Sequence, residues 1–312
     1  MKKYTLPVLS VLLFLSCHLR KKEQRKNDPY LVVLGIAQDA GYPQAGCTKE
    51  CCVKYWEGIE DRKNVTCLGL VIPAEKKLYL FEATPDFTRQ WQMLKETSRL
   101  ADKKVPDCIF LTHAHMGHYT GLIQTGREAM GAHGIAVYTM PRMKNFLEQN
   151  GPWKQLVDLG NIRLATLKAD SVIWINKEIG VTPFLVPHRD EYSETVGFKI
   201  ISTHKKILFI PDIDKWQKWD KKITDEIRNT DVAFLDGTFF RDGEIDRNMN
   251  EVPHPFVAET MSLFDSLAAR ERNKIVFIHF NHTNPLLRNT PEKKQTSKRG
   301  YRIAYEGMKI NL

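Results

Sequence analysis

The sequence is short of cysteine and has no long apolar run. Its six cysteines in 312 residues are too few and too unevenly placed for a disulfide framework, because Cys17 stands near the N-terminus and three of the other five fall within 47–52. No stretch reaches the roughly 20 apolar residues that a membrane-spanning helix needs. Internal repeats and low-complexity blocks are also missing, which excludes a solenoid or a disordered tract. Charge of one sign is scarce where it would matter. The net charge is +9, but Lys2, Lys3, Arg20, Lys21, Lys22, Arg25 and Lys26 against Glu23 carry six of those units, leaving +3 from Asp28 onward. That remainder is too small and scattered for a nucleic-acid footprint, so no nucleic-acid partner is expected. What is there, 42% hydrophobic and 27% charged residues with 18 Gly and 15 Pro, is the composition of a globular domain.

The N-terminus reads Lys2, Lys3, an apolar stretch over 4–15 and Ser16 before Cys17, the charged, apolar, small-residue order of an export signal. Phe14-Leu-Ser-Cys17 is similar to a relaxed bacterial lipobox. The expectation is a signal peptide over 1–17, lipidation of Cys17, a polar basic tether over 18–28 and one domain over 29–312. Such a chain is exported and held at a membrane only through its lipid; the alternative is a plain secreted or periplasmic protein.

Short apolar runs end repeatedly in Asp or His: 31–36 before Asp39, 78–81 before Asp86, 108–111 before His113, 184–186 before His188, 207–210 before Asp212, 232–235 before Asp236, and 275–278 before His279. Runs of this length read as buried strands. Placing Asp and His just past their ends gathers metal-type ligands along one sheet edge. Helix-like amphipathic stretches over 87–100, 121–132, 142–149, 216–228 and 257–270 alternate with them. Strand pairs without a helix between, 68–72 with 78–81 and 196–201 with 207–210, argue for sheets of mixed direction covered by helices, an α/β (α+β) layered fold.

The densest signal is Leu111-Thr-His113-Ala-His115-Met-Gly117-His118, three histidines within six residues directly after a strand. That clustering points to one metal or two adjacent metals. Cys47, Cys51 and Cys52 offer three thiols, which suit a structural Zn²⁺; no fourth ligand stands nearby, and a disulfide from Cys47 is the competing reading.

The histidine run resembles the signature His-x-His-x-Asp-His of the metallo-β-lactamase-fold hydrolases. Within them, Asp39-Ala-Gly-Tyr-Pro-Gln44 with Cys47, Leu235-Asp-Gly-Thr-Phe239, Val252-Pro-His254-Pro, and His279 with Thr283-Asn-Pro285 resemble the family of pyrroloquinoline quinone biosynthesis protein B. The resemblance implies a four-layer αββα sandwich. It implies His113, His115 and His188 on one Zn²⁺, and His118, Asp212 and His279 at a second position with Asp212 bridging. Asp86 would support the metal loop, and His254 would donate a proton to the leaving group. A zinc-bound hydroxide cleaving an ester-type bond, phosphodiester or acyl/lactam, of a small-molecule substrate is the implied chemistry.

Gly117 departs from the signature, which has Asp there. A single metal, a different second metal, or a replacement ligand would each answer that gap. His282 is the first candidate replacement and Asp214 the next, unless both only orient other ligands. Gly117→Asp is accordingly expected to raise metal stoichiometry. Two further readings stand at this level: a redox-metal oxygenase or oxidoreductase with iron in place of zinc, acting in cofactor or metabolite maturation, and a non-catalytic binding scaffold.

Overall fold

The computed structural model describes residues 27–312; the signal-like segment, Cys17 and most of the tether lie outside the described residues. Two seven-stranded sheets pack face to face. The first runs in the order β14-β1-β2-β3-β4-β5-β6 and the second β13-β12-β11-β10-β9-β8-β7. Their strands are β1 (Tyr30–Gly35), β2 (Cys67–Ile72), β3 (Lys77–Phe81), β4 (Cys108–Phe110), β5 (Ile135–Thr139), β6 (Ile162–Thr166), β7 (Ile173–Trp174), β8 (Gly180–Leu185), β9 (Val196–Ile201), β10 (Lys206–Ile210), β11 (Val232–Asp236), β12 (Ile275–Ile278), β13 (Arg302–Ile303) and β14 (Lys309–Asn311).

Alternation along the strands divides the core. Leu31, Val33, Leu68, Leu70, Phe81 and Phe110 face the second sheet and meet Phe198 and Phe209 there. Phe81 stacks on Phe110 at 5.0 Å and meets Phe198 edge-on at 5.5 Å. Val32, Leu34, Val71, Leu78, Leu80, Ile109 and Val137 face the other way. They are covered by Phe87, Trp91 and Leu94 of the helix Phe87–Ser98 and by Met143 and Leu147 of the helix Pro141–Gln149. Val257, Met261 and Phe264 of the helix Val257–Phe264, with Ile223 and Ile227 of the helix Ile223–Arg228, pack in the cluster that includes the second sheet. The expected αββα layering is present.

The strands β3, β4, β5 and β6 are mutually parallel, as are β10, β11 and β12. Their C-terminal ends therefore open onto one edge of the sandwich, where a site collects. Three expected helices are shorter than read. Residues 121–132 hold only a 3₁₀ segment, Thr120–Thr125, because Gly121 packs directly on the Thr84 backbone, where a Cβ would come within 2.0 Å of the carbonyl oxygen. The stretches 216–228 and 257–270 are each broken in two. The short or less uniformly apolar strands β5, β6, β7, β13 and β14 escape the sequence pattern altogether.

Candidate metal centre

Seven side chains from five strand ends meet in two overlapping groups. His113 and His115 of the loop after β4, His188 after β8, and Asp212 after β10 form the first. Asp39 after β1, His118, His279 after β12, and the same Asp212 form the second, so the Asp212 carboxylate lies between the two. Asp212 Oδ2 is 3.4 Å from His113 Nε2, 3.1 Å from His188 Nε2, and 3.9 Å from both His115 Nδ1 and His118 Nε2. Asp39 Oδ1 is 2.9 Å from His118 Nε2 and 3.2 Å from His279 Nε2.

The partners on the outer ring nitrogens fix which nitrogen faces inward. The Thr112 hydroxyl donates to Glu82 Oε1 at 2.6 Å and so accepts from His113 Nδ1–H at 2.9 Å. The Thr238 hydroxyl repeats the relay in the other half, donating to Asp236 Oδ1 at 2.6 Å and accepting from His279 Nδ1–H at 2.9 Å. His188 Nδ1–H donates to Asp214 Oδ1 at 3.1 Å. In the neutral ring, each bond would keep the proton on Nδ1 and turn a proton-free Nε2 toward the centre. His115 turns its Nε2 toward Glu191 at 3.5 Å and its Nδ1 inward, 3.3 Å from His188 Nε2.

A buried His113 Nε2 that makes no hydrogen bond and a buried Asp212 carboxylate with four imidazoles within 3.1–3.9 Å are a donor set that could hold a cation. The electrostatics say the same. Burial disfavours a charged His188, yet the Asp212 and Asp214 carboxylates outweigh it and raise the ring to about 9. His118, also buried, is lifted well above its ordinary value by Glu82 and Asp39. His113, with burial dominant, is pushed down instead and stays a neutral donor. The backbone is strained at two of these places: Glu82 has φ +88° and His279 φ +66°, conformations that side chains other than glycine rarely adopt.

Several sequence expectations change here. With Gly117 carrying no carboxylate, Asp39, just past the end of β1 and not among the expected ligands, brings one to the group of His118 and His279. His282 is not the replacement: its Nδ1 lies 3.5 Å from Cys51 Sγ and 3.3 Å from Cys52 Sγ, and Cys47 Sγ is 3.7 Å from Cys51 Sγ. It is the fourth member of the thiol cluster, and the cysteines there are free thiols. Asp214 orients His188 rather than joining the second group. Asp86 does not touch the histidine loop; it pairs with Arg62 and accepts from Val65 N at 2.8 Å, and Glu82 is the carboxylate beneath that loop.

His254 sits at the edge of the centre, buried, with Nδ1 3.0 Å from Asp212 Oδ1 and 2.9 Å from Asp236 Oδ2. Against the cost of burial, these two carboxylates hold it up at about 10. With Thr238 it lines a polar cleft of about 380 Å³ that also contains Gln38, Arg189, Arg247 and Asn281.

This fold and this donor set define a metallo-β-lactamase-type protein. The chain belongs to the beta-lactamase superfamily, whose domain model matches residues 77–280. It is similar to the coenzyme PQQ synthesis protein B of Rhizobium meliloti (strain 1021), with 23% identity over 92% of this chain and 99% of that protein. Its fold is that of Zn²⁺-bound PqqB from Methylobacterium extorquens (TM-score 0.77, 20% identity, 91% of this chain and 100% of that one). A diphosphatase from the PhnP family shares it as well (TM-score 0.64, 19% identity, 91% and 97%).

Proposed function

We propose that the chain is a metal-dependent hydrolase that cleaves an ester-type bond, phosphodiester or acyl/lactam, in a small-molecule substrate. The observation that carries this reading is the convergence of His113, His115 and His188 on the buried Asp212 carboxylate, a set of ligand atoms close enough together to hold a divalent cation. His113, His115 and His188 would hold one Zn²⁺; Asp39, His118 and His279 would hold a second, with Asp212 shared. Zn²⁺ bound there supplies Lewis acidity and brings the pKa of a water down to about 7.

The chain's own groups do the rest. Glu82 and Thr112, and Asp236 and Thr238, keep the ligand rings in one tautomer. His254, whose Nδ1–H donates to Asp236 Oδ2 beside the Asp212 carboxylate, would keep Nε2 for the cleft it lines and hand its proton to the leaving group. At the thiol cluster, Cys47, Cys51, Cys52 and His282 would hold a structural Zn²⁺. Their separations of 3.3–3.7 Å match the roughly 3.5–3.8 Å between ligand atoms of a tetrahedral Zn–S/N site. Export and a lipid on Cys17 remain part of the proposal on the sequence pattern alone.

The similarity to coenzyme PQQ synthesis protein B over nearly the whole chain favours one second reading, in which the same imidazole and carboxylate donors hold iron for oxidative chemistry. Elemental analysis of the full chain purified without added metal separates the two, run beside His115→Ala and a screen of phosphodiesters and lactams. Zinc lost with His115→Ala, together with turnover of either substrate class, supports hydrolysis. Iron without hydrolysis overturns it.

A further inference from the structure

The polar cleft over the centre carries two guanidinium groups with nothing to pair with. Arg189 follows the inward-facing His188 directly, and Arg247 lies on the loop between β11 and the helix Val257–Phe264, across the same cleft. Both side chains are exposed, and among the described residues neither makes a side-chain hydrogen bond or has a carboxylate within 4.0 Å, so both guanidinium groups are free to meet a ligand in the cleft. Glu251 shares the cleft, but its Oε1 is taken by Asn248 Nδ2 at 3.2 Å.

The loop that carries Arg247 is tied down. Lys49 pairs with Asp246 at 2.7 Å, Thr283 Oγ1 donates to Glu244 Oε1 at 2.5 Å, and Phe239, Met249, Val252 and Phe256 form a small core beneath it. Arg247 is therefore presented from an ordered element rather than a free tip. Gln38 lines the same cleft, and its Oε1 accepts from Asn281 Nδ2 at 3.4 Å, which leaves the Gln38 Nε2 amide as a further donor.

Four carboxylates, Asp39, Asp212, Asp236 and Glu82, stand behind this cleft. With Asp214 against His188, Glu191 against His115 and Glu251 in the cleft wall, the surroundings are acidic, so an anionic group would need the arginines in front as counter-charges. We propose that Arg189 and Arg247 form an oxyanion subsite that takes a phosphate or carboxylate group of the substrate and sets it against the centre. The two guanidinium forks and the Gln38 amide match the planar, multi-acceptor geometry of such a group. The inference rests on the reading of this cleft as the substrate entrance.

The test is calorimetric titration of the metal-loaded full chain with phenyl phosphate, benzoate and uncharged benzamide, on the natural protein and on Arg189→Gln, Arg247→Gln and the double variant. Arg241→Gln, on the same loop but facing Glu292 outside this cleft, is the control. Each single variant is expected to weaken an anion about threefold to tenfold and the double variant about tenfold to fiftyfold, with metal content, melting and benzamide binding unchanged. Whether phenyl phosphate or benzoate shows the loss identifies the group taken. Equal anion binding by the natural protein and the double variant overturns the subsite, as does no anion binding at all or a loss that only tracks metal content. Arginine-dependent binding without hydrolysis of any ester would leave the subsite standing while the hydrolase reading fails.

Discussion

The backbone of Asp39 occupies the space that a side chain at Gly117 would need: a Cβ on Gly117 would lie 2.4 Å from Asp39 Cα and 2.7 Å from Asp39 Cβ. Glycine at 117 is thus the condition for the chain to pass there, and that passage brings the Asp39 carboxylate to 2.9 Å from His118 Nε2.

Removing the Asp39 carboxylate should therefore act on one half of the centre. Asp39→Ala is expected to cost close to one metal equivalent per chain while the group of His113, His115 and His188 keeps its own. Equilibrium dialysis followed by elemental analysis reads the stoichiometry, and an unchanged value would remove Asp39 from the ligand set.

The sequence pattern led to the expectation that Gly117→Asp restores a ligand; the packing reverses it. Any side chain at 117 must push the Asp39 backbone, and overpacking of this kind costs about 1–3 kcal/mol. Gly117→Asp and Gly117→Ala should both lower the melting temperature and the metal stoichiometry, a pairing that a simple restored-ligand account does not produce. A rise in stoichiometry for Gly117→Asp alone would show that the loop yields.

At the thiol cluster the expected effect falls on stability. His282→Ala or Cys52→Ser leaves three of four ligands, so one zinc should be lost without affecting the metals at Asp212. The cluster ties the helix Glu50–Trp56 to the segment after β12, and Arg288 reinforces that tie by donating to the carbonyls of Cys51 at 2.8 Å and His282 at 2.6 Å. Loosening it should destabilise the domain by about 2–4 kcal/mol, with chemical denaturation as the measurement. A Cys52→Ser protein with full zinc content would contradict the four-ligand assignment.

The layered fold and most of the histidines were legible because the signals are local. Runs such as 207–210 and 275–278 are buried on both faces and end in Asp212 and His279. What escaped was long-range. Asp39 and His118 are 79 residues apart, and Cys52 and His282 are 230 apart, so neither pairing has a periodicity or spacing to find it. A hint for Asp39 lay in its place just past β1, like the ligands beyond the other strands. For His282 the only hint was that three clustered thiols leave a tetrahedral site one ligand short. Asp86 and Glu82 follow the same β3 run four residues apart, and it is the Glu82 carboxylate, on a backbone of positive φ, that reaches Thr112 and His118, a choice the run itself does not signal.

The two threonine relays yield the last prediction. Thr112→Val and Thr238→Val keep the side-chain shape but remove the hydroxyl that accepts from His113 Nδ1–H and His279 Nδ1–H respectively. Each ring then loses the partner that fixes its tautomer, and Glu82 or Asp236 loses a donor at 2.6 Å. Outer partners of metal ligands typically contribute about tenfold to a hundredfold in affinity, so each variant should weaken one metal by that factor. Because the relays serve different halves, Thr112→Val should act on the metal held by His113, and Thr238→Val on the one held with Asp39 and His279. Competition with a chelator, followed in both variants and in the double variant, resolves this. Losses that add in the double variant fit two separate relays, whereas a double variant no weaker than either single one would mean that the two positions act as a single unit.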